Sequence, residues 1–189
     1  SPRGWSIDAY KTIFIYPDQI LNCYLNSIVI TVVGSVLNVF LTITVAYPIS
    51  KLDFKFRSAI TFVMFLTTAF GAGLVPQYIL YKSYLHIYNS WWVLILPQCA
   101  SVGHIIFLRI FFQAVDGAYY EAAKIEGANE FTVMFRIATP LVAPGVATVA
   151  FYSVLMYWND ATSALYFLDT DSKFMPISVY ITRMSQLIV

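Results

Sequence analysis

The side chains with which this chain could do chemistry are few and scattered. His86 and His104 share no ligand-like spacing with another histidine, a cysteine or a carboxylate, and no metal is assigned to them. Cys23 and Cys99 are lone thiols in apolar surroundings and read as small buried hydrophobes rather than as a disulfide or metal pair. No H-E-x-x-H, G-x-S-x-G or Walker A pattern occurs, so the usual zinc-hydrolase, activated-serine and phosphate-cradling signatures are all missing. What remains is a polar, small-residue run from Glu121 to Pro144, EAAKIEGANEFTVMFRIATPLVAP, set between two apolar stretches. Its residue types suit contact rather than catalysis. The chain is read as non-catalytic, with no cofactor or metal of its own.

That run has a local logic. Asp116 and Gly117 can open a short helix, the Asp side chain accepting from orphan N–H groups. Glu121 is then expected near the helix's positive end, where an anion gains roughly 0.3–1 kcal/mol. Ala122, Ile125 and Ala128 recur at three-residue spacing and make a narrow apolar stripe of little bulk. In one continuous helix Glu126 and Glu130 would stand four apart and repel by about 0.2–0.5 kcal/mol. Gly127 offers a break between them, with positive φ, and Asn129 a fresh N-cap. The sequence predicts a helix, a Gly-centred turn and a second helix. A small apolar face flanked by Glu121 and Lys124 suits insertion into a groove on a partner.

The elements that position this segment are apolar and long. Hydrophobic residues make up 59% of the 189 and charged residues 11%, less than half the share usual in a soluble domain. Gln19–Ser50, Ser58–Tyr81, Ser83–Leu108 and Ile137–Asn159 contain no Asp, Glu, Lys or Arg. Each meets the roughly 20 residues an α-helix needs to cross a hydrocarbon core of about 30 Å. The runs are continuous rather than alternating, which excludes a β-barrel. An all-α, polytopic membrane bundle is expected, with four transmembrane helices near 24–49, 58–81, 91–113 and 138–160. The segment 114–137 forms the connection between the last two, and 1–189 is one domain. A net charge of +1 gives no field for nucleic acid.

Orientation follows from KLDFKFR between the first two helices, where Lys51, Lys55 and Arg57 crowd together on what reads as the cytoplasmic side. Two crossings later, the Glu121 segment faces the same side with Lys124, Arg136 and the preceding Arg109. The opposite side carries Arg3, Lys11, Lys82, Lys173 and Arg183, so density rather than total count supports the assignment. Gly71, Gly73 and Pro76 in the second stretch, Pro97 in the third, and Pro140 with Pro144 at the fourth mark expected breaks. Of these, Gly73, Pro76, Pro97 and Pro144 are candidate gates or hinges, since broken helices often line transport pathways. Gly34, Ser27 and Asn38 are candidates for a packing seam. Trp91, Trp92 and Trp158 read as interfacial anchors rather than ligand-stacking platforms.

Glu121, Ala122, Ala123 and Gly127, with Ile137 and Pro140 beyond them, resemble the Glu-Ala-Ala loop of bacterial ABC importer permeases. The similarity extends from Asn26 to about Pro176 and points to the carbohydrate-uptake, maltose-type branch, in the form common in Gram-positive bacteria for oligosaccharides and polysaccharide fragments. It is carried by Asn26-Ser27, Ala46-Tyr47-Pro48, Gly73-Leu74-Val75-Pro76-Gln77-Tyr78, Leu96-Pro97, Arg109-Ile110-Phe111-Phe112 and Trp158-Asn159. Two departures are Ala114-Val115-Asp116, where that family commonly has a Pro, and Glu126, where it commonly has Asp. The resemblance implies a type I importer permease fold of usually six helices, the first and last of which this chain is expected to lack. It also implies a multi-pass subunit of the bacterial plasma membrane. Glu121, Ala122, Ala123, Glu126, Gly127, Ala128 and Pro140 would form the loop that docks into a cytoplasmic ATPase, which uses the ATP. A second, different permease and an extracytoplasmic sugar-binding protein are the further implied partners. No residue is carried over as a sugar ligand.

Two other classes fit the residues less well. A secondary transporter or channel should carry ion-coupling ionisable groups within its spans. The four spans are read as free of them, with Asp160 only at an edge. An intramembrane enzyme lacks its constellation, as above.

Overall fold

The computed structural model describes residues 17–169 and 172–187; Arg3, Lys11 and Asp171 lie outside the described residues. Among these the chain is helical, without strands. Helix α1, Pro17–Ser50, runs unbroken for 34 residues, or about 50 Å at 1.5 Å per residue. Its outward stripe of Leu21, Leu25, Ile28, Val32, Val36 and Phe40 is exposed, between 47% and 64%. Its inward stripe of Ser27, Thr31, Ser35, Asn38 and Thr42 is buried. An aqueous helix would reverse that pattern. Apolar outside and polar inside is the arrangement lipid favours.

The other three expected spans are bent pairs. Helix α2, Arg57–Ala69, and α3, Leu74–Tyr84, meet at 111°. Trp91–Gln98 (α4) and Val102–Gln113 (α5) meet at 43°, and Glu130–Leu141 (α7) and Ala143–Asn159 (α8) at 86°. Among the described residues α1 alone is long and apolar enough to cross a membrane, and each bent pair passes when taken as one span. The first break, between α2 and α3, falls at Gly71–Gly73, and Gly73 (φ +77°) precedes α3. Pro76, expected as a break, instead sits in the first turn of α3, where its missing N–H costs little. Pro97 sits in a 3₁₀ turn leading into the second break, between α4 and α5. Pro140 follows a π-helical stretch, Val133–Ala138, and Val142 is the corner before Pro144 in the first turn of α8. A proline crowds the carbonyl four residues back, here Arg136, and the wider π turn accommodates it. The Met134 carbonyl accepts twice from Thr139, from its backbone N–H and from its Oγ1 at 2.7 Å.

Short α6, Gly117–Ile125, precedes α7, and α9, Thr162–Phe167, and α10, Ile177–Leu187, follow α8. Helix α8 packs most extensively on α1, with α5 on another side of α1. Gly34 makes the close approach to α8 possible: a Cβ there would lie 2.6–2.8 Å from the Tyr157 ring. The seam expected from Ser27, Gly34 and Asn38 is a buried contact.

The interior divides into two apolar clusters. One gathers Tyr47, Ile49, Leu108, Phe112, Ala123 and Val133 at one end. The other gathers Ile30, Tyr81, Val93, Ile95, Tyr157 and Phe167 at the opposite end. Between them along α1 lies Asn38, wholly buried. Its Nδ2 donates to the Gln98 carbonyl at 2.8 Å, and its Oδ1 faces Ser153 Oγ at 2.8 Å and His104 Nδ1 at 2.9 Å. Gln98 Nε2 in turn donates to Asp160. Asn38 thus satisfies a carbonyl freed where the α4–α5 pair is broken, which a bilayer would leave unpaired.

Candidate functional site

The segment between α5 and α8 is built as its sequence dictates. Asp116 caps α6, its Oδ1 accepting from Ala118 N at 3.0 Å. Helix α6 ends at Ile125 and the chain turns at Gly127, φ +79°. Asn129 caps α7, its Oδ1 accepting from Thr132 N at 2.8 Å. The turn closes through Gly127 N to the Lys124 carbonyl and Ala128 N to the Ala123 carbonyl, both at 3.0 Å. Helix, Gly-centred turn and second helix are all present.

Three local expectations need correction. Glu121 is the fifth residue of α6, beyond the first turn where the helix dipole acts, so it gains little from it. The acidic residue that does occupy a first turn is Glu130, in α7. The small apolar stripe also divides: Ala122 and Ile125 are exposed, Ile125 at 87%, whereas Ala128 is half-buried on the core. Ala123, one residue along, anchors α6 inside the lower apolar cluster at 4% exposure. Finally, the third expected span is not free of ionisable groups, because His104 and Arg109 both lie in α5. No carboxylate lies in it.

The turn at Gly127 does more than separate Glu126 from Glu130. It brings Glu130 to three partners. Lys51 Nζ sits 2.5 Å from Glu130 Oε2, Lys124 Nζ 3.3 Å from Oε1, and Tyr47 Oη donates to Oε2 at 3.2 Å. Lys51 also lies 4.4 Å above the Tyr47 ring. The Lys51 hydrogen bond, with Lys124 adding to it, holds the Glu130 carboxyl below its ordinary pKa. The end of α1 is thereby tied to the start of α7, and the two basic connections share one end of the molecule. Sequence reasoning missed this node, since Lys51 and Glu130 are 79 residues apart and no periodicity links them. Glu121, Lys51, Lys124 and Tyr120 line a cleft of about 470 Å³ beside it.

Placement of the remaining candidates is mixed. Glu126 caps the end of α6 and is exposed, as is Pro140 in α7. Gly73, Pro97 and Pro144 lie at or beside the three corners, and Pro76 in the first turn of α3. Trp91, the first residue of α4, donates from Nε1 to Asn26 Oδ1 at 3.3 Å and meets Phe174 edge-on. Trp92 and Trp158 are exposed. Cys23 is buried and Cys99 half-buried, both free thiols. At the end away from Glu130, Lys82, Tyr78, Tyr88 and Asp169 form a second polar node: Lys82 Nζ is 2.9 Å from Tyr78 Oη, and Tyr88 Oη donates to Asp169 at 3.0 Å.

Comparison with known proteins bears on this architecture. Residues 24–189 match the family model described as "Binding-protein-dependent transport system inner membrane component". The chain is 34% identical over 182 residues to the polygalacturonan/rhamnogalacturonan transport system permease protein YtcP of Bacillus subtilis (strain 168), covering 96% of the chain and 63% of that protein. Protein LplC of the same organism is 36% identical over 172 residues, 91% of the chain and 58% of that protein. The solved structure of a bacterial ABC transporter involved in the import of the acidic polysaccharide alginate shares the fold, with a TM-score of 0.86 at 24% identity over 96% of this chain and 64% of that one. The chain therefore spans roughly three-fifths of the length of these relatives. It belongs to the family of binding-protein-dependent transport system inner membrane components.

Proposed function

We propose that the chain is part of a transmembrane subunit of an ATP-driven importer for a carbohydrate, embedded in the bacterial plasma membrane as a multi-pass protein. Its substrate class is an oligosaccharide or polysaccharide fragment, in keeping with relatives named for polygalacturonan/rhamnogalacturonan and arabinooligosaccharide transport. The observation that carries this reading is the turn at Gly127. It leaves Ala122 and Ile125 as an exposed apolar face while Glu130 ties the same segment to Lys51 at the foot of α1. A face of that size suits a groove on a cytoplasmic ATPase, where bulk would bar close approach.

In this reading the chain binds no cofactor, and the ATPase uses the ATP. Movement of the docked α6 reaches the membrane by two routes, through α7 into α8 and through the Glu130–Lys51 contact into α1. The corners at Gly73, Pro97 and Pro144 are where the spans flex as the pathway opens to a sugar-binding protein, beside a second permease. Loop and pathway are two coupled conformational equilibria, so the loop need not touch sugar.

The test is to assemble the complete transporter with Gly127→Val or Glu121→Lys and to measure ATPase recruitment, ATP hydrolysis and uptake. A side chain at Gly127 meets no neighbour within 4 Å, so its cost is the left-handed backbone, about 1–2 kcal/mol, plus bulk on the docking face. Hydrolysis and uptake are expected to fall together while membrane insertion holds. Full uptake from an inserted Gly127→Val subunit would reduce the segment to a solvated connection.

A further inference from the structure

The basic end of the molecule holds a second cleft, of about 630 Å³, which the Glu130 node does not use. It opens between the α1–α2 connection, α2 and α5. Three cations line it, Lys55, Arg57 and Arg109, and no carboxylate does. Ser58 and Thr61 add hydroxyls. The ion pairs around Glu130 take up Lys51 and Lys124 and leave these three aside. Arg109 Nε is buried without any acceptor, although a buried guanidinium nitrogen ordinarily finds one. Collecting three like charges around one cleft is unfavourable unless an anion completes it. Arg57 also opens α2, so the positive end of that helix faces the same space.

The walls specify the anion further. Phe62 and Phe65 line the cleft and are 63% and 66% exposed, and no residue of α2 is buried. A phosphate free in solution would gain nothing from that surface. A phosphodiester carrying acyl chains would place its charge among the cations and its chains along α2. Basic pockets between spans on the cytoplasmic side suit anionic headgroups for this reason, and each cation near an anionic surface contributes about fivefold in affinity.

We propose that the cleft bounded by Lys55, Arg57 and Arg109 binds the phosphodiester headgroup of an anionic phospholipid, with its acyl chains against Phe62 and Phe65. The inference rests on the membrane orientation given above. Its readout, lipid retention, needs neither ATP hydrolysis nor transport, so the two readings fail separately.

The experiment uses the complete transporter, delipidated and offered phosphatidylglycerol or phosphatidylcholine of identical chains, with retained lipid counted by native mass spectrometry. Phosphatidylglycerol should be retained over phosphatidylcholine. Arg57→Gln and Arg109→Gln should each weaken retention about fivefold, and Arg57→Lys and Arg109→Lys much less. Lys82→Gln, at the opposite end, should change nothing. Should Arg109→Gln fail to assemble, Lys55→Gln reads the same cleft from an exposed position. Equal retention of the two lipids would overturn the proposal, as would retention indifferent to all three cations. Displacement of the lipid by millimolar inorganic phosphate would mark a free-anion site instead. A disulfide cross-link from a cysteine at Thr61 to another subunit, with no lipid retained, would assign the cleft to a protein contact.

Discussion

Glu130 is the residue whose position is hardest to account for by stability. Its side chain is more than half exposed, and exposed ion pairs contribute only about 0.2–1 kcal/mol. Its value is geometric: one carboxylate fixes Lys51, Lys124 and Tyr47 relative to each other. Glu130→Gln should therefore leave thermal stability nearly unchanged while loosening α6 and α7, measurable as faster amide exchange in 117–138. The same contact sets a pH dependence. Because the folded carboxyl is held below its ordinary value, near 4.3, the contribution is fully present above that value. It is lost as pH falls through the lower folded value. Exchange protection of the segment should hold at pH 5 and decay only below the ordinary range. Decay beginning at pH 6 would show that another group controls the loop. None of this was legible in the sequence, where Glu130 figured only as a repulsive neighbour of Glu126. The caps at Asp116 and Asn129 and the turn at Gly127 were legible, because each depends on chemistry within four residues.

Among the elements, α1 and α8 approach closely, and the approach depends on a glycine for a different reason from Gly127. At Gly127 space is open and φ is the constraint; at Gly34 the helix is regular and the Tyr157 ring is the constraint. Tyr157 cannot easily yield, being 4% exposed with its hydroxyl donating to the Ile95 carbonyl at 3.0 Å. Gly34→Val should cost about 1–3 kcal/mol by overpacking and lower the unfolding temperature of the assembled transporter. Gly34→Ala in a Tyr157→Phe background would still collide, since the ring remains; Tyr157→Leu should relieve part of the loss. Retention of wild-type stability by Gly34→Val would mean that the two helices are not held together here. Existence of the apolar helices could be read from uncharged length. Their corners could not: Gly71 and Gly73 flagged a break, but the 111° between α2 and α3 depends on what surrounds them. Pro76 misled because a proline in a first turn looks, in sequence, like one in a helix interior.

For the molecule as a whole, the two polar ends make a topology that can be checked. Cysteines replacing Lys55 and Lys124 should react only with reagent added from one face, and a cysteine replacing Lys82 only from the other. Labelling of positions 124 and 82 from the same face would break the four-span arrangement. The labelling also fixes the orientation on which the cleft near Arg109 depends. Length without charge and basic clustering are what predict this layout from the sequence, and the labelling tests it. The long-range polar stitching at Asn38 was visible only as a polar residue on an apolar helix.

That stitching implies an order of assembly. Helix α1 satisfies its own backbone and can enter a bilayer unaided. The three bent helix pairs arrive with gaps in their hydrogen-bond ladders, and the Gln98 carbonyl is satisfied by Asn38 of α1. Within this chain assembly should thus run from α1 onward, with α1 as the template on which the later helices settle. Nascent chains stalled after Ser50 should already resist alkaline extraction from the membrane. Full-length chains carrying Asn38→Leu should insert yet remain open to protease at the Cys99–Ser101 corner for longer than the unaltered protein.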